Sequence, residues 1–184
     1  MSENNLKTKK LISLGPSGRA VAEPMDDVLL GNFYEHLTME RYANAQYFSI
    51  YLWFKERDLD GFASYFLSES KGEMEHSYKF ANYLIARGQN VNLKELPAPI
   101  QNWDSIEDLI SYSFNMEADL TSSLQQLYSI SERISDTRTN VFLDPIVDAQ
   151  TKSEDELAHI LGKVKFASNQ PSAILLINSD LNKK

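Results

Sequence analysis

The chain has 184 residues, enough for one domain with a substantial core and too few for two comfortable ones. A net charge of −8 offers no basic surface to neutralise phosphates, which argues against a nucleic-acid partner, and the lack of cysteine excludes disulfides, iron–sulfur clusters and thiolate zinc sites. No run approaches the roughly 18 apolar residues of a membrane span, and the apolar run near the N-terminus is too short for a secretory signal, so a soluble cytoplasmic protein with no membrane partner is expected.

Residues 1–24 are polar, carry Gly15, Pro16, Gly18 and Pro24, and show no helical period. They read as an N-terminal arm, leaving 25–182 as a single domain. From about residue 26 to 54 a helical stripe runs through Phe33, Leu37, Glu40, Tyr47, Tyr51 and Phe54. A turn at 58–60 leads to a second stripe, Phe62, Phe66, Glu69, Glu73, His76, Phe80 and Leu84, which stops at Arg87 and Gly88.

The stretch 89–103 carries Pro97 and Pro99 with few periodic apolar residues, so it is a connection long enough to run from one end of a bundle to the other. A third helix begins near Asp104, capped by Asp104 or Ser105, and presents Ile110, Phe114, Glu117, Leu120, Leu124 and Tyr128 on one face. After a polar stretch at 135–140, a fourth helix runs to about Phe166, with Pro145 near its start or kinking it. A short fifth helix over about 172–181 follows Pro171. The expected fold is an all-α four-helix bundle with one long crossover and a short C-terminal helix.

The informative feature is where the ionisable groups fall. Glu40, Glu73, His76 and Glu117 all lie on the apolar stripes of their helices. Burying a lone carboxylate costs several kcal/mol, roughly, unless it is paired or binds a cation. A single inward glutamate is most often salt-bridged or partly exposed, and Glu-x-x-His alone is common by chance. Three helices that each place an acid inward, with no inward lysine or arginine to neutralise them, point instead to metal. The spacing from Glu73 to His76 puts both on one face, one turn apart. Oxygen and imidazole donors without sulfur suit iron, manganese or zinc. A carboxylate-rich pair of metals favours Fe(II) oxidation, because hard oxygen donors stabilise Fe(III).

Three runs, NFYEHLTMERYANAQYF, FASYFLSESKGEMEHSYKFANYLIARG and NWDSIEDLISYSFNMEADLTSSL, together resemble ferritin, and the resemblance covers about residues 26–182. It implies a ferritin-like fold and a ferroxidase centre of Glu40, Glu73, His76 and Glu117 holding two irons per subunit. Glu73 would bridge them, with Glu40 and His76 on one iron and Glu117 on the other. It further implies Fe(II) and oxygen as substrates, storage of ferric mineral, and a homo-oligomeric shell of twenty-four subunits with residues 172–182 at its four-fold axes.

Against the ferritin pattern, counting from Phe142 and Leu143 puts the family's assisting glutamine on Thr151, with Gln150 as the lesser candidate. Gly72 stands where many ferritins have a glutamate beside the bridging one, so a third iron site, for which Glu154 remains, is expected to be weak or absent. Tyr47, seven residues after Glu40, matches a family tyrosine and is expected to supply an electron to oxygen; its bland alternative is a packed core aromatic. Asp144, Asp148 and Thr151 form a ladder on one helix face, and Asp144, Asp148 and Glu69 are a candidate iron-transfer route, although acids near a helix N-terminus are also ordinary dipole partners. Met74 gives the Glu-Met-x-His of bacterioferritins, yet Glu156-x-x-His159 falls off the metal face, so haem is not expected. His36 and His159 read as surface or capping residues. The competing functions are a rubrerythrin-like oxidase or peroxidase and a catalytically inactive shell subunit.

Overall fold

A computed structural model describes residues 12–168 and 170–182. Helix α1 spans Asp27–Lys55 and starts where Asp26 accepts the backbone N–H of Val28 and Leu29. Asp58, in the left-handed region at φ 56°, turns the chain into α2, Asp60–Ala86. That helix ends as expected, at Arg87 followed by Gly88 with φ 75°. Helix α3 is Ile106–Arg133, and Ser105 is its cap, accepting the N–H of Asp108 at 3.0 Å.

Helix α4, Thr137–Ala167, begins inside the polar 135–140 stretch, where the Asp136 side chain accepts the N–H of Thr139. Pro145 therefore lies inside this helix. It removes one backbone donor, but Val141, Asp144 and Pro145 form an exposed strip, so the freed carbonyl of Val141 faces water. Helix α5, Pro171–Leu181, follows a left-handed Ser168 and carries proline in its first turn.

Each long helix runs antiparallel to its two neighbours. His36 meets Ser123 and Tyr42 meets Tyr112 between α1 and α3, while Tyr83 and Arg87 meet Thr139 and Asp136 between α2 and α4. Because α1 is antiparallel to both α2 and α3, the end of α2 lies at the opposite end of the bundle from the start of α3. The connection has to travel the bundle's length, and it does so along α1. Tyr34 donates to the Asn90 carbonyl at 2.5 Å, Arg41 to that of Lys94 at 2.9 Å, and Gln46 both accepts from and donates to the backbone of Ile100.

The core is in two halves. One, toward α5, stacks Phe54 on Phe62 and Phe66 at 4.8 and 5.6 Å and continues through Tyr47, Leu109, Leu157 and Ile160. The other gathers Phe33, Leu37, Phe80, Leu84, Leu124 and Leu143. On α1 the break between them falls at Glu40, on α2 at Glu73 and on α4 at Gln150. A polar layer thus separates two apolar plugs on α1, α2 and α4, while on α3 the two halves meet one turn past Glu117, between Leu120 and Leu124.

The described part of the N-terminal arm is not loose. Leu14 and Ala20 pair as an antiparallel bridge, and Ser17 gives both its N–H and its hydroxyl to the carbonyl of Gly88, at 3.1 and 2.8 Å. Glycine is required on both sides: a Cβ on Gly15 would stand 2.4 Å from the Gly88 oxygen, and one on Gly88 would meet Val21. Residues 1–11 of the arm lie outside the described residues. Among the described residues no helix is long and apolar enough to cross a membrane.

Candidate metal centre

The seam of α1 steps Phe33, Leu37, Glu40, Ala43, Tyr47, and every one of these is buried. Glu40 therefore enters the interior by helix geometry alone, and the same arithmetic buries Glu73 on α2 and Glu117 on α3. His76, one turn beyond Glu73, is only partly covered, its side chain 21% exposed. Its Nδ1 lies 3.2 Å from Glu73 Oε2 and 3.5 Å from Glu40 Oε2. Ligand atoms of Glu40, Glu73 and His76 all fall within 4.8 Å of one another.

Glu117 completes the layer from the α3 side. Its Oε1 accepts the Tyr47 hydroxyl, and its Oε2 accepts Gln150 Nε2 at 2.7 Å. Among the described residues no lysine or arginine pairs with Glu40, Glu73 or Glu117; the buried Arg87 is committed to Asp136.

Burial pushes the Glu73 carboxyl well above the ordinary range, and its neighbour Glu40 pushes it further. Burial also works to raise Glu40, but the close approach of Glu73, His36 and His76 outweighs it and holds its carboxyl below the usual range. His76 is pushed up to about 10 by hydrogen bonds to Glu40 and Glu73. Burial raises Glu117 as well, against the lowering effect of Tyr47 and Gln150. Glu40 Oε2 is buried with no hydrogen-bond donor. A buried acceptor left open among converging carboxylates is what a cation would satisfy. Carboxylate oxygens and one imidazole nitrogen fit iron, and their arrangement across facing helices is that of a carboxylate metal bundle.

The ferritin profile, described as the ferritin-like domain, matches residues 32–167. The chain belongs to the ferritin family. Among curated relatives, a bacterial non-heme ferritin of Bacteroides fragilis is 25% identical over 150 residues, covering 82% of this chain and 93% of its own. The ferritin-1 heavy chain of Schistosoma mansoni is 29% identical over 135 residues, covering 69% of this chain and 78% of its own. Among solved structures, an iron-soaked PmFTN variant is 30% identical with a TM-score of 0.79, covering 83% of this chain and 99% of that one. The open pore ferritin of Archaeoglobus fulgidus superposes with a TM-score of 0.83 at 21% identity, covering 87% of this chain and 98% of that one; this likeness speaks to the fold.

Two sequence readings of this ferritin are corrected by its tertiary structure. Gln150, not Thr151, faces the centre: Gln150 is buried against Glu117, whereas Thr151 is exposed and turns its hydroxyl back to the Val147 carbonyl. The seam of α4 runs Leu143, Ile146, Gln150, Leu157. Seven residues return a helical side chain to within about 20° of its start, while eight overshoot by about 80°. His36, read as a surface or capping residue, is fully buried, with Nε2 2.8 Å from Glu40 Oε1 and Nδ1 2.9 Å from Ser123 Oγ. Its spacing, three after Phe33 and four before Glu40, was the available signal.

Other candidates sort by place. Tyr47 is in the interior against Glu117. Glu69 is close enough to feel Glu117, and burial together with the charges of Glu117 and Glu156 pushes it up to about 7. Asp144 and Asp148 lie instead on the exposed strip of α4, where Asp144 accepts from Tyr128 at 2.9 Å and Asp148 pairs with Lys152 at 2.6 Å. Glu154 accepts from Thr121 across the α3–α4 seam. Gly72 has open space where a side chain would project. Glu156 and His159 are exposed, off the metal face as the count required, and Met74 is on the bundle surface.

Proposed function

We propose that this ferritin oxidises Fe(II) with oxygen at the Glu40–Glu73–His76–Glu117 layer and stores the ferric product. The observation that carries the reading is the convergence of Glu40, Glu73 and His76 ligand atoms within 4.8 Å, in a layer that no lysine or arginine among the described residues neutralises. Two Fe(II) bind per subunit as substrate, with Glu73 between them, Glu40 and His76 on one and Glu117 on the other. One electron leaves each Fe(II) for oxygen, and the redox chemistry belongs to the metal while the protein binds, orients and supplies charge. The two apolar plugs keep water from either end of the layer. Gln150 and Tyr47 hold Glu117 from two sides, and the Tyr47 phenol is the nearby group that can yield a further electron.

Asp144 and Asp148 collect iron on the exposed strip of α4 and Glu69 hands it inward. With Gly72 in place of a carboxylate, Glu154 makes at best a weak third site. The family architecture supports a twenty-four-subunit shell, with α5 at the four-fold axes, in the cytoplasm.

Size-exclusion chromatography combined with aerobic Fe(II) titration tests this. A large particle that forms ferric product, and loses that ability on Glu73→Gln, is expected. A small particle with oxidation would indicate a rubrerythrin-like oxidase, and a large particle without it an inactive shell.

A further inference from the structure

Among the described residues, the ferroxidase reading leaves the fully buried His36 without a role. His36 sits one turn before Glu40 on the same face of α1, its ring against Phe80 with centroids 4.4 Å apart. Nδ1 hydrogen-bonds with Ser123 Oγ at 2.9 Å, and Nε2 stands 2.8 Å from Glu40 Oε1, in close contact but without the alignment of a hydrogen bond. A serine hydroxyl can donate or accept, whereas an ionised carboxylate only accepts. So close an approach to a carboxylate that can only accept requires the proton on Nε2, and the serine oxygen takes the complementary role at Nδ1.

The consequence lies in Glu40. Its Oε1 has His36 Nε2 in close contact at 2.8 Å, while its Oε2 is buried, has no aligned hydrogen-bond donor, and lies farther off, 3.5 Å from His76 Nδ1. The two oxygens of one carboxylate face different neighbours: one the anchor, the other the layer where metal ligands converge.

We propose that His36 is a positioning residue which, anchored by Ser123 and Phe80, holds Glu40 Oε1 so that Glu40 offers iron Oε2 alone. The inference rests on the ferroxidase reading and adds a coordination mode to it. Groups that orient a metal's ligands commonly change affinity about tenfold or more when removed. An apolar side chain at position 36 frees Oε1, so the carboxylate can rotate and chelate through both oxygens.

The test is a set of crystals soaked anaerobically in Fe(II), with Fe(II) affinity measured in parallel by anaerobic titration. Wild type is expected to ligate through Glu40 Oε2 only. His36→Leu is expected to show two-oxygen or swung ligation and about tenfold weaker binding at that iron. His36→Gln, which keeps an N–H donor, should restore the one-oxygen mode. Ser123→Ala, which frees the ring while leaving the interior volume nearly unchanged, gives the same readout should His36→Leu not fold. Unchanged one-oxygen ligation and affinity in both His36→Leu and Ser123→Ala, or two-oxygen ligation in wild type, overturns the clamp alone. Wild-type crystals with no iron at Glu40 overturn the clamp and the ferroxidase reading together.

Discussion

Asn178 on α5 caps α2 from across the fold: its Oδ1 accepts the backbone N–H of Gly61 at 2.8 Å and that of Phe62 at 3.1 Å. The local N-cap residue, Leu59, has no side-chain acceptor, so α2 takes its cap from a residue more than a hundred positions away. Asn178→Ala should cost about 1 kcal/mol, the usual worth of an N-cap side chain. Gly61→Ala should do more damage, because its Cβ would stand 1.7 Å from the Asn178 carbonyl oxygen and α5 would have to move. Thermal unfolding checks both, and unchanged melting in the two variants would mean that α5 does not brace α2.

Arg87 and Asp136 tie the C-terminus of α2 to the N-terminus of α4, with Arg87 Nη2 2.8 Å from Asp136 Oδ2 and both side chains nearly buried. Burial acts to raise the Asp136 carboxyl, but the hydrogen bond and charge of Arg87 outweigh it and leave it below the usual range. A depressed folded value means the stabilisation is present above the unfolded value of about 3.9 and is lost as pH falls through the folded one. Asp136→Ala leaves Arg87 buried and unpaired and should cost about 3 kcal/mol at neutral pH. Denaturant unfolding from pH 7 to pH 2 should show the gap between wild type and variant closing at the acid end. A gap that stays constant would rule the pair out as its source.

Tyr47→Phe removes both the oxidisable phenol and one of the two donors on Glu117. The expected outcome is slower oxidation after the first turnover and no tyrosyl radical signal in freeze-quenched samples, with the same number of irons bound. Wild-type kinetics in the variant would reduce Tyr47 to a packed core aromatic.

The choice between Gln150 and Thr151 is separable by mutation. Gln150→Leu removes the 2.7 Å donor from Glu117 Oε2 and should weaken iron binding on the Glu117 side by about tenfold. Thr151→Ala should leave binding and oxidation unchanged, since its hydroxyl only bonds back to its own helix. Isothermal titration with Fe(II) under nitrogen distinguishes them, and the reverse ranking would restore the count from Phe142.

Most of the bundle was legible from local spacing. Glu40, Glu73 and Glu117 were placed inward because an α-helix repeats every 3.6 residues, and the apolar residues around each acid marked the face. The long connection was legible from Pro97, Pro99 and the lack of periodicity. What spacing could not rank was a residue with two plausible faces. His36 shares the stripe of Phe33 and Glu40, yet an isolated histidine gives no sign of its partner when that partner, Ser123, is 87 residues away. Thr151 and Gln150 differ by one step, and a landmark eight residues distant cannot resolve that step as a continuous seam can.

Four long helices, the crossover, and three acids and a histidine on inward faces could be read from the residues alone, because those follow from the period of one helix at a time. Only the packed bundle brings Glu40, Glu73 and His76 together, sets Gln150 and Tyr47 on Glu117, seats His36 beside Glu40, and caps α2 with Asn178. Each of those depends on the relative register of helices packed side by side, which is set by interlocking side chains from distant parts of the chain rather than by any local repeat.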